Sequence, residues 1–209
     1  MTFEDAIAEC GVIAILRGVT SDEVVEIASA LHEAGIRVVE VPLNSPEPFI
    51  SIRRLADAFA GRLVCGAGTV LNLGDIDRLK FHGGTISVSP DCNPAVIARA
   101  VELGLEPLPG VYTPTEAFAA IRAGARHLKL FPAEAAGPHV IKAWRAVLPR
   151  HLKIYAVGGV TPANMQSWID GGAAGFGIGS NIYKPGRSIL QVSEAASAFV
   201  SAWRALKRT

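Results

Sequence analysis

The sequence predicts an α/β fold, a single (β/α)8 TIM barrel, because one short pattern recurs eight times along 209 residues. Each repeat joins a short apolar run to a stretch whose apolar residues fall three and four positions apart. Alternating strands and helices of this kind require a parallel sheet that is covered on both faces. We therefore predict one domain over residues 1–209, with a short N-terminal helix in "MTFEDAIAEC".

Eight apolar runs mark the predicted strands, and glycines that can close a preceding helix stand before several of them. Helices are expected to begin after "TSDE", "NSPE", "TPTE" and "TPAN", where Ser, Thr or Asn can cap the first turn. An open doubly wound sheet is the alternative, but "LRGVTSDE" stands where that fold needs a GxGxxG motif. The predicted strands cover residues 12–17, 37–43, 62–68, 85–89, 105–109, 127–131, 153–159 and 175–179.

The composition, with 50% hydrophobic and 19% charged residues, is that of a soluble globular protein. Twenty basic and nineteen acidic residues give a net charge of +1, which argues against a nucleic-acid partner and favours a small metabolite. No apolar stretch approaches the roughly 18 to 20 residues of a membrane span, and the N-terminus does not resemble a signal peptide. Three widely separated cysteines suit a reducing compartment. We expect a cytoplasmic protein without a membrane partner.

The spacing of histidines and cysteines does not predict a metal site. The five histidines and three cysteines show no HxH, HxxxH or CxxC pair that would place two ligands on one element. His127 precedes Lys129 by two positions and could share its strand face, but a core histidine is the expected role. We predict no metal ion and no other cofactor.

Lys129 is the first candidate functional residue, because it interrupts the apolar run "HLKLFPA". A buried lysine is costly unless it is paired or used, since desolvation penalises its charged form. Lys129 could be a structural ion that reaches a carboxylate or the surface. Alternatively, a lowered pKa could make its amine a nucleophile toward a carbonyl.

A barrel carries its functional residues at the C-terminal ends of its strands. Strand alternation points Glu40 and Lys129 into the predicted barrel. An uncharged Lys129 could form a Schiff base with a ketone, Glu40 could carry protons, and Arg17 could bind a carboxylate. A mutual salt bridge without chemistry is the alternative for Glu40 and Lys129. Candidate residues at or near the strand ends are Arg17, Glu40, Thr69, Ser89, Pro90 and Lys129.

Glycine-rich segments after the last two strands predict a phosphate site. "AVGGVTPAN" places Gly158 and Gly159 after the seventh strand, and "GIGSN" places Gly179 and Ser180 after the eighth. Backbone N–H groups of such loops, beside a helix N-terminus, suit a phosphate. The alternative is that these glycines only permit tight turns.

Seven segments resemble, in order and spacing, the 2-keto-3-deoxy-6-phosphogluconate (KDPG) and 2-keto-3-deoxy-6-phosphogalactonate (KDPGal) aldolases. The resemblance runs from about residue 11 to residue 205. It implies a class I, metal-free lyase on a (β/α)8 barrel, usually a homotrimer. Such a lyase cleaves a 2-keto-3-deoxy-6-phospho sugar acid into pyruvate and glyceraldehyde 3-phosphate. The segments are "IAILRG", "VEVPLNSP", "GAGTVL", "VSPD", "LKLFPA", "VGGVTPAN" and "GSNIY".

The resemblance also implies roles for the matching residues. Lys129 would be the Schiff-base lysine, and Glu40 would be the general acid/base. The phosphate would bind at Gly158, Gly159, Gly179 and Ser180. The pyruvyl half would be held by Arg17 and Thr69 at its carboxylate, in a pocket shaped by Pro90 and Phe131.

Three positions separate the gluconate and galactonate branches of these aldolases. Gluconate-type enzymes typically have an Arg-Thr pair after the glutamate of the second strand and a threonine before the glycine pair of the seventh. Asn44 and Ser45, and Val157, stand at those places here, which is similar to the galactonate branch. Val157 cannot hydrogen-bond a C4 hydroxyl, so an epimer whose C4 hydroxyl points at it loses a partner. This disfavours that epimer by about 1–3 kcal/mol. We therefore expect 2-dehydro-3-deoxy-6-phosphogalactonate as substrate, with the gluco epimer as the alternative.

Two other classes of function stay open from the sequence. A phosphate-binding barrel isomerase or synthase would use Lys129 as a general acid and never form an imine. A noncatalytic barrel would bind a sugar phosphate without turnover. The presence of Arg17, Glu40 and Lys129 together favours the aldolase. The expected partners are a small phosphorylated keto acid and, from the resemblance, two further copies of the chain in a homotrimer.

Overall fold

The computed structural model describes residues 1–206. Residues 207–209, which the sequence analysis places in the same domain, lie outside the described residues. Nine parallel strand segments form the sheet: β1 (Val12–Ile15), β2 (Val38–Pro42), β3 (Val64–Gly68), β4 (Ile86–Val88), β5 (Glu106–Leu108), β6 (Gly110–Val111), β7 (His127–Leu130), β8 (Lys153–Val157) and β9 (Gly175–Ile178).

The strands close into the predicted barrel. Their order is β5-β4-β3-β2-β1-β9-β8-β7-β6, and its two ends, β5 and β6, are separated in the chain only by Pro109. Pro109 has no N–H to donate to a continuous ladder, although its carbonyl accepts a hydrogen bond of 2.9 Å from Lys129 N. The predicted strand over 105–109 is therefore split into two segments. The (β/α)8 fold class is confirmed, with a fifth strand interrupted at this proline.

Helices alternate with the strands and surround the barrel. None of those within residues 1–206 is long and apolar enough to cross a membrane. The predicted start at "TPTE" is confirmed by a capping box between Thr113 and Glu116. The helices are α1 (Phe3–Glu9), α2 (Val24–Ala34), α3 (Pro48–Ala58), α4 (Leu73–Phe81), α5 (Pro94–Glu102), α6 (Pro114–Arg122), α7 (Ala133–Ala136), α8 (Pro138–Trp144), α9 (Met165–Asp170) and α10 (Ile189–Ala205).

The predicted cap at "NSPE" is wrong. The residue before α3 is Glu47, which has a φ of 40° and makes no side-chain capping bond. Asn44 and Ser45 instead form hydrogen bonds with the loop that follows β1. A local capping sequence has been overridden by a contact with a neighbouring loop.

An apolar cluster fills the barrel beneath the strand ends, and α1 packs onto its lower part. The ring of Phe3 meets the ring of His127 edge-on, with centroids 4.8 Å apart, and His127 Nδ1 lies 3.1 Å from Tyr155 Oη. Burial lowers the pKa of His127 to about 4, so the ring is a neutral core group at neutral pH. The cluster consists of Phe3, Ala6, Ile7, Ile13, Val38, Val64, Ile86, Val88, Leu108 and Tyr155.

Candidate active site

A cavity of about 570 Å³ lies at the C-terminal ends of the strands. Glu40 lies beneath it and lines a smaller internal space, which Lys129 and Val157 share with the main cavity. The structure thus brings predicted site residues from seven strands, or from the loops that follow them, to one end of the barrel. The predicted residues that line the main cavity are Arg17, Thr69, Pro90, Lys129, Phe131, Val157, Gly158, Gly159, Gly179 and Ser180.

Lys129 lies on β7 in register with Gly110 and Tyr155, and only 7% of its surface is exposed. Its Nζ stands 4.5 Å from the centroid of the Phe131 ring. Burial lowers the pKa of Lys129, and the positive charge of Arg17 lowers it further, whereas the charge of Glu40 opposes both. These surroundings increase the fraction of neutral amine, which is the nucleophilic form.

Glu40 lies on β2 between Ile15 of β1 and Gly66 of β3, and it is 2% exposed. Its Oε2 is buried without a hydrogen-bond partner among the described residues. Gly68 makes room for this carboxylate, because a Cβ on Gly68 would collide with it. The glutamate on β2 therefore requires a glycine at position 68 of the neighbouring strand. Its Oε2 forms no salt bridge within residues 1–206.

Burial raises the pKa of Glu40 to about 7, while the positive charges of Lys129 and Arg17 oppose that rise. A carboxyl group that titrates near neutral pH can both accept and return a proton during one reaction. Glu40 and Lys129 are thus a buried acid/base group and a buried amine whose pKa values are shifted toward each other. Pairs of this kind are typical of catalytic sites.

The loops after β1 and β3 border the cavity with restrained backbone. Arg17 Nη1 donates a hydrogen bond of 2.7 Å to Asn44 Oδ1, and Gly18 N donates one of 2.9 Å to Ser45 Oγ. Thr69 has a φ of 57°, a left-handed conformation that is uncommon outside glycine. Such residues cluster at functional sites, because the surrounding structure must hold them there.

The two glycine-containing loops lie side by side at one end of the cavity. Gly158 and Gly159 have φ values of 111° and 68°, which disfavour any residue with a Cβ. Two amide groups fix the loop after β8: Asn164 Nδ2 donates to Gly159 O at 3.0 Å, and Asn181 Nδ2 donates to Val160 O at 2.8 Å. The next helices begin only at Met165 and Ile189, so the loops border the cavity without the adjacent helix N-terminus that the sequence analysis predicted.

Residues 3–196 match the aldolase family described as KDPG and KHG aldolase. The chain belongs to that family. It is 47% identical over 192 residues to the 2-dehydro-3-deoxy-6-phosphogalactonate aldolase of Escherichia coli (strain K12), an alignment that covers 92% of this chain and 94% of the relative. The family to which the sequence segments pointed is thereby confirmed.

Solved structures agree with this membership in the aldolase family. A native KDPGal structure superposes with a TM-score of 0.91 at 47% identity, covering 92% of this chain and 94% of that one. A KDPG aldolase of Legionella pneumophila, captured with pyruvate as a covalent carbinolamine intermediate, superposes with a TM-score of 0.81 at 26% identity, covering 97% and 96% of the two chains.

Two charged residues of this aldolase line the cavity and were missed by the sequence analysis. Lys184 follows "GSNIY" and brings a cation to the loop after β9. Glu134 lies in the first turn of the short helix α7, and its carboxylate lies so close to Gly158 that a Cβ there would collide with it. The spacing of residues in the surrounding "KPG" and "PAE" sequences does not predict that Lys184 and Glu134 face the cavity. Their position is known only from the folded structure.

Residues 1–206 contain no group of three or more His, Cys, Asp or Glu side chains that could hold a metal ion. Lys129, Glu40 and Arg17 bring an amine, a carboxyl group and a guanidinium to the strand ends.

Proposed function

We propose that the chain is a class I aldolase that cleaves 2-dehydro-3-deoxy-6-phosphogalactonate into pyruvate and D-glyceraldehyde 3-phosphate. The observation that carries this proposal is the buried amine of Lys129, which faces the cavity and shares its inner end with Glu40. The name of the Escherichia coli relative supports the choice of substrate. The carbinolamine captured in the Legionella protein supports attack by an amine on a pyruvyl carbonyl.

The proposed reaction begins when the neutral amine of Lys129 attacks the C2 ketone of the substrate. The carbinolamine loses water as Glu40 delivers a proton to its hydroxyl group, which leaves an iminium ion. Glu40 then takes the proton of the C4 hydroxyl while the C3–C4 bond breaks. The electron pair of that bond moves into the iminium to form an enamine. Protonation of the enamine at C3 and attack of water at C2 release pyruvate and restore the free amine.

We propose that the remaining cavity residues position the substrate. Arg17 and Thr69 would bind the carboxylate, and Pro90 with Phe131 would enclose the pyruvyl group. The charge of Lys184 supports placing the phosphate at the same end of the cavity, because a cation there would neutralise part of its charge. The proposed phosphate ligands are Gly158, Gly159, Gly179 and Ser180.

Borohydride trapping separates the aldolase from the isomerase alternative. Pyruvate and sodium borohydride should together add a reduced adduct to Lys129, found by peptide mass spectrometry, because borohydride reduces an iminium. Absence of label with pyruvate would contradict the imine. Initial rates of pyruvate release from the two C4 epimers, without added metal, then test the substrate. A clear preference for the galacto epimer is expected, and equal or reversed rates would favour the gluco alternative.

Replacing Val157 by threonine is expected to shift the preference toward the gluco epimer by about ten-fold, because it supplies a hydroxyl that can bond the C4 hydroxyl. Val157 lines the cavity and stands in register with Gly177 of β9. The measurement is the ratio of kcat/KM values for the two epimers. Val147→Thr is the matched control, since Val147 is 60% exposed and the ratio should not respond to it. An unchanged ratio in Val157→Thr would place the selectivity elsewhere.

We also propose that the protein acts as a cytoplasmic homotrimer in galactonate breakdown. Large apolar side chains on or beside α4 support self-association, because Leu71, Leu73 and Phe81 are 48%, 47% and 74% exposed in the single chain. Sedimentation equilibrium should give three times the 22.0 kDa mass of one chain. A monomer at micromolar concentration would contradict the trimer and leave the chemistry intact.

A further inference from the structure

The guanidinium of Arg17 is held by a residue that lies outside the cavity. Arg17 Nη1 donates to Asn44 Oδ1 at 2.7 Å, and Asn44 is absent from the residues that line the cavity. Because a guanidinium can only donate hydrogen bonds, the amide oxygen of Asn44 must face it. One nitrogen of Arg17 is thus committed to a neighbour that does not line the cavity.

This contact is one half of a two-point connection between neighbouring loops. Ser45 Oγ accepts a hydrogen bond of 2.9 Å from Gly18 N, and Ser45 is itself buried, with 8% of its surface exposed. The strands below are in register, since Leu16 N donates to Glu40 O at 2.9 Å. Ser45 therefore fixes the backbone beside Arg17, and Asn44 fixes its side chain.

Asn44 has no capping role that would account for its side-chain contact. The helix that follows begins at Pro48 and has Glu47 as its N-cap residue. Within residues 1–206, the side chain of Asn44 makes one hydrogen bond, to Arg17. Arg17 Nε and Nη2 have no hydrogen-bond partner among the described residues. Both donors are therefore available to a ligand.

We propose that Asn44 is a positioning residue for substrate binding, because it holds one nitrogen of Arg17 and leaves Nε and Nη2 for the substrate carboxylate. This inference rests on the proposed function and specifies how that site recognises its carboxylate. An exposed arginine loses conformational freedom when it binds an anion, and prior fixation reduces that loss. The carboxylate can then receive two parallel N–H donors from a guanidinium already in place.

A double-mutant cycle tests the proposal. Asn44→Ala should raise KM for the sugar acid about ten-fold and change kcat less than two-fold, because it loosens binding without touching the amine. Arg17→Ala should have a larger effect. The double variant should be no worse than Arg17→Ala, because Asn44 acts only through Arg17. Independent, multiplying effects would overturn the proposal, as would an unchanged KM in Asn44→Ala.

Trapping with two probes separates this proposal from the proposed function. Borohydride labelling by pyruvate should slow in Asn44→Ala, whereas labelling by methyl pyruvate, which lacks the carboxylate charge, should match the wild type. Equal slowing with both probes would overturn the carboxylate role. Failure of the wild type to label with pyruvate would instead refute the imine chemistry.

Asn93→Ala is the matched control, because Asn93 Oδ1 also accepts one hydrogen bond, from Ala95 N at 3.1 Å, and lines no part of the cavity. Its KM should equal that of the wild type. Asn44→Leu provides a second variant of similar volume without an acceptor, and it should repeat the KM increase if Asn44→Ala folds poorly.

Discussion

Replacing Lys129 by alanine abolishes pyruvate release, with an expected fall in kcat on the order of 10⁴-fold or more, while the barrel stays folded. Without the amine no imine forms, and the electrons of the C3–C4 bond have no acceptor. Folding is expected to survive, because the change removes a group whose charged form burial disfavours. Coupled measurement of pyruvate release, together with thermal unfolding followed by circular dichroism, checks both parts.

Lys80→Ala is the control for Lys129→Ala, because Lys80 is an exposed residue in the last turn of α4. It should retain full turnover. Retained turnover in Lys129→Ala would refute the role proposed for this lysine, and borohydride labelling would then show whether Lys184, the other lysine that lines the cavity, carries the adduct. Loss of the folded signal would mean that the Lys129 side chain is needed to pack the barrel.

Replacing Glu40 by glutamine is expected to lower kcat by about 10²- to 10⁴-fold and to stabilise the protein at alkaline pH. The folded protein raises the pKa of Glu40 from its ordinary 4.5 to about 7, so it holds the proton more tightly than the unfolded chain does. The favourable contribution of Glu40 is thus largest when the group is protonated. Stability falls as pH rises from about 4.5 to 7, by about 3 kcal/mol in all.

The glutamine variant carries no charge at position 40, so its stability does not fall as the pH rises through this range. The cost of burying its amide reduces the advantage over the wild type. Its unfolding free energy should therefore exceed that of the wild type by about 1–3 kcal/mol at pH 8, with a much smaller difference at pH 5. Urea unfolding at the two pH values measures this. Glu33→Gln, at an exposed residue of α2, should show no such difference. A stability difference independent of pH would mean that folding does not shift the pKa of Glu40.

The sequence was sufficient to predict the barrel and the inward direction of Glu40 and Lys129. Both follow from local rules, since the repeat of strand and helix determines the architecture and strand alternation determines the face. The interruption of the fifth strand depends on Pro109, whose missing N–H could have been read from the sequence as a break in the ladder. The pKa shifts required the folded barrel, because burial is their main cause.

The contacts between loops could not be predicted in the same way. Asn44 and Ser45 precede a proline in a sequence suited to helix capping, yet both bond to the loop after β1. Capping propensity is worth about 1 kcal/mol, so a buried serine bonded to a neighbouring backbone readily outweighs it. Glu134 of α7 likewise meets Gly158 of the loop after β8, a contact that no periodic pattern predicts.

The apolar cluster that fills the barrel beneath Lys129, with α1 packed onto it, determines the route by which substrate enters and products leave. The lower end is closed by this filling, so substrate and products pass through the loop end of the barrel. In the proposed reaction the phosphorylated fragment lies toward the loops, while the three-carbon fragment is still attached to the lysine. Glyceraldehyde 3-phosphate is therefore the first product to depart and pyruvate the second, which makes pyruvate the product that competes with fresh substrate for the empty enzyme.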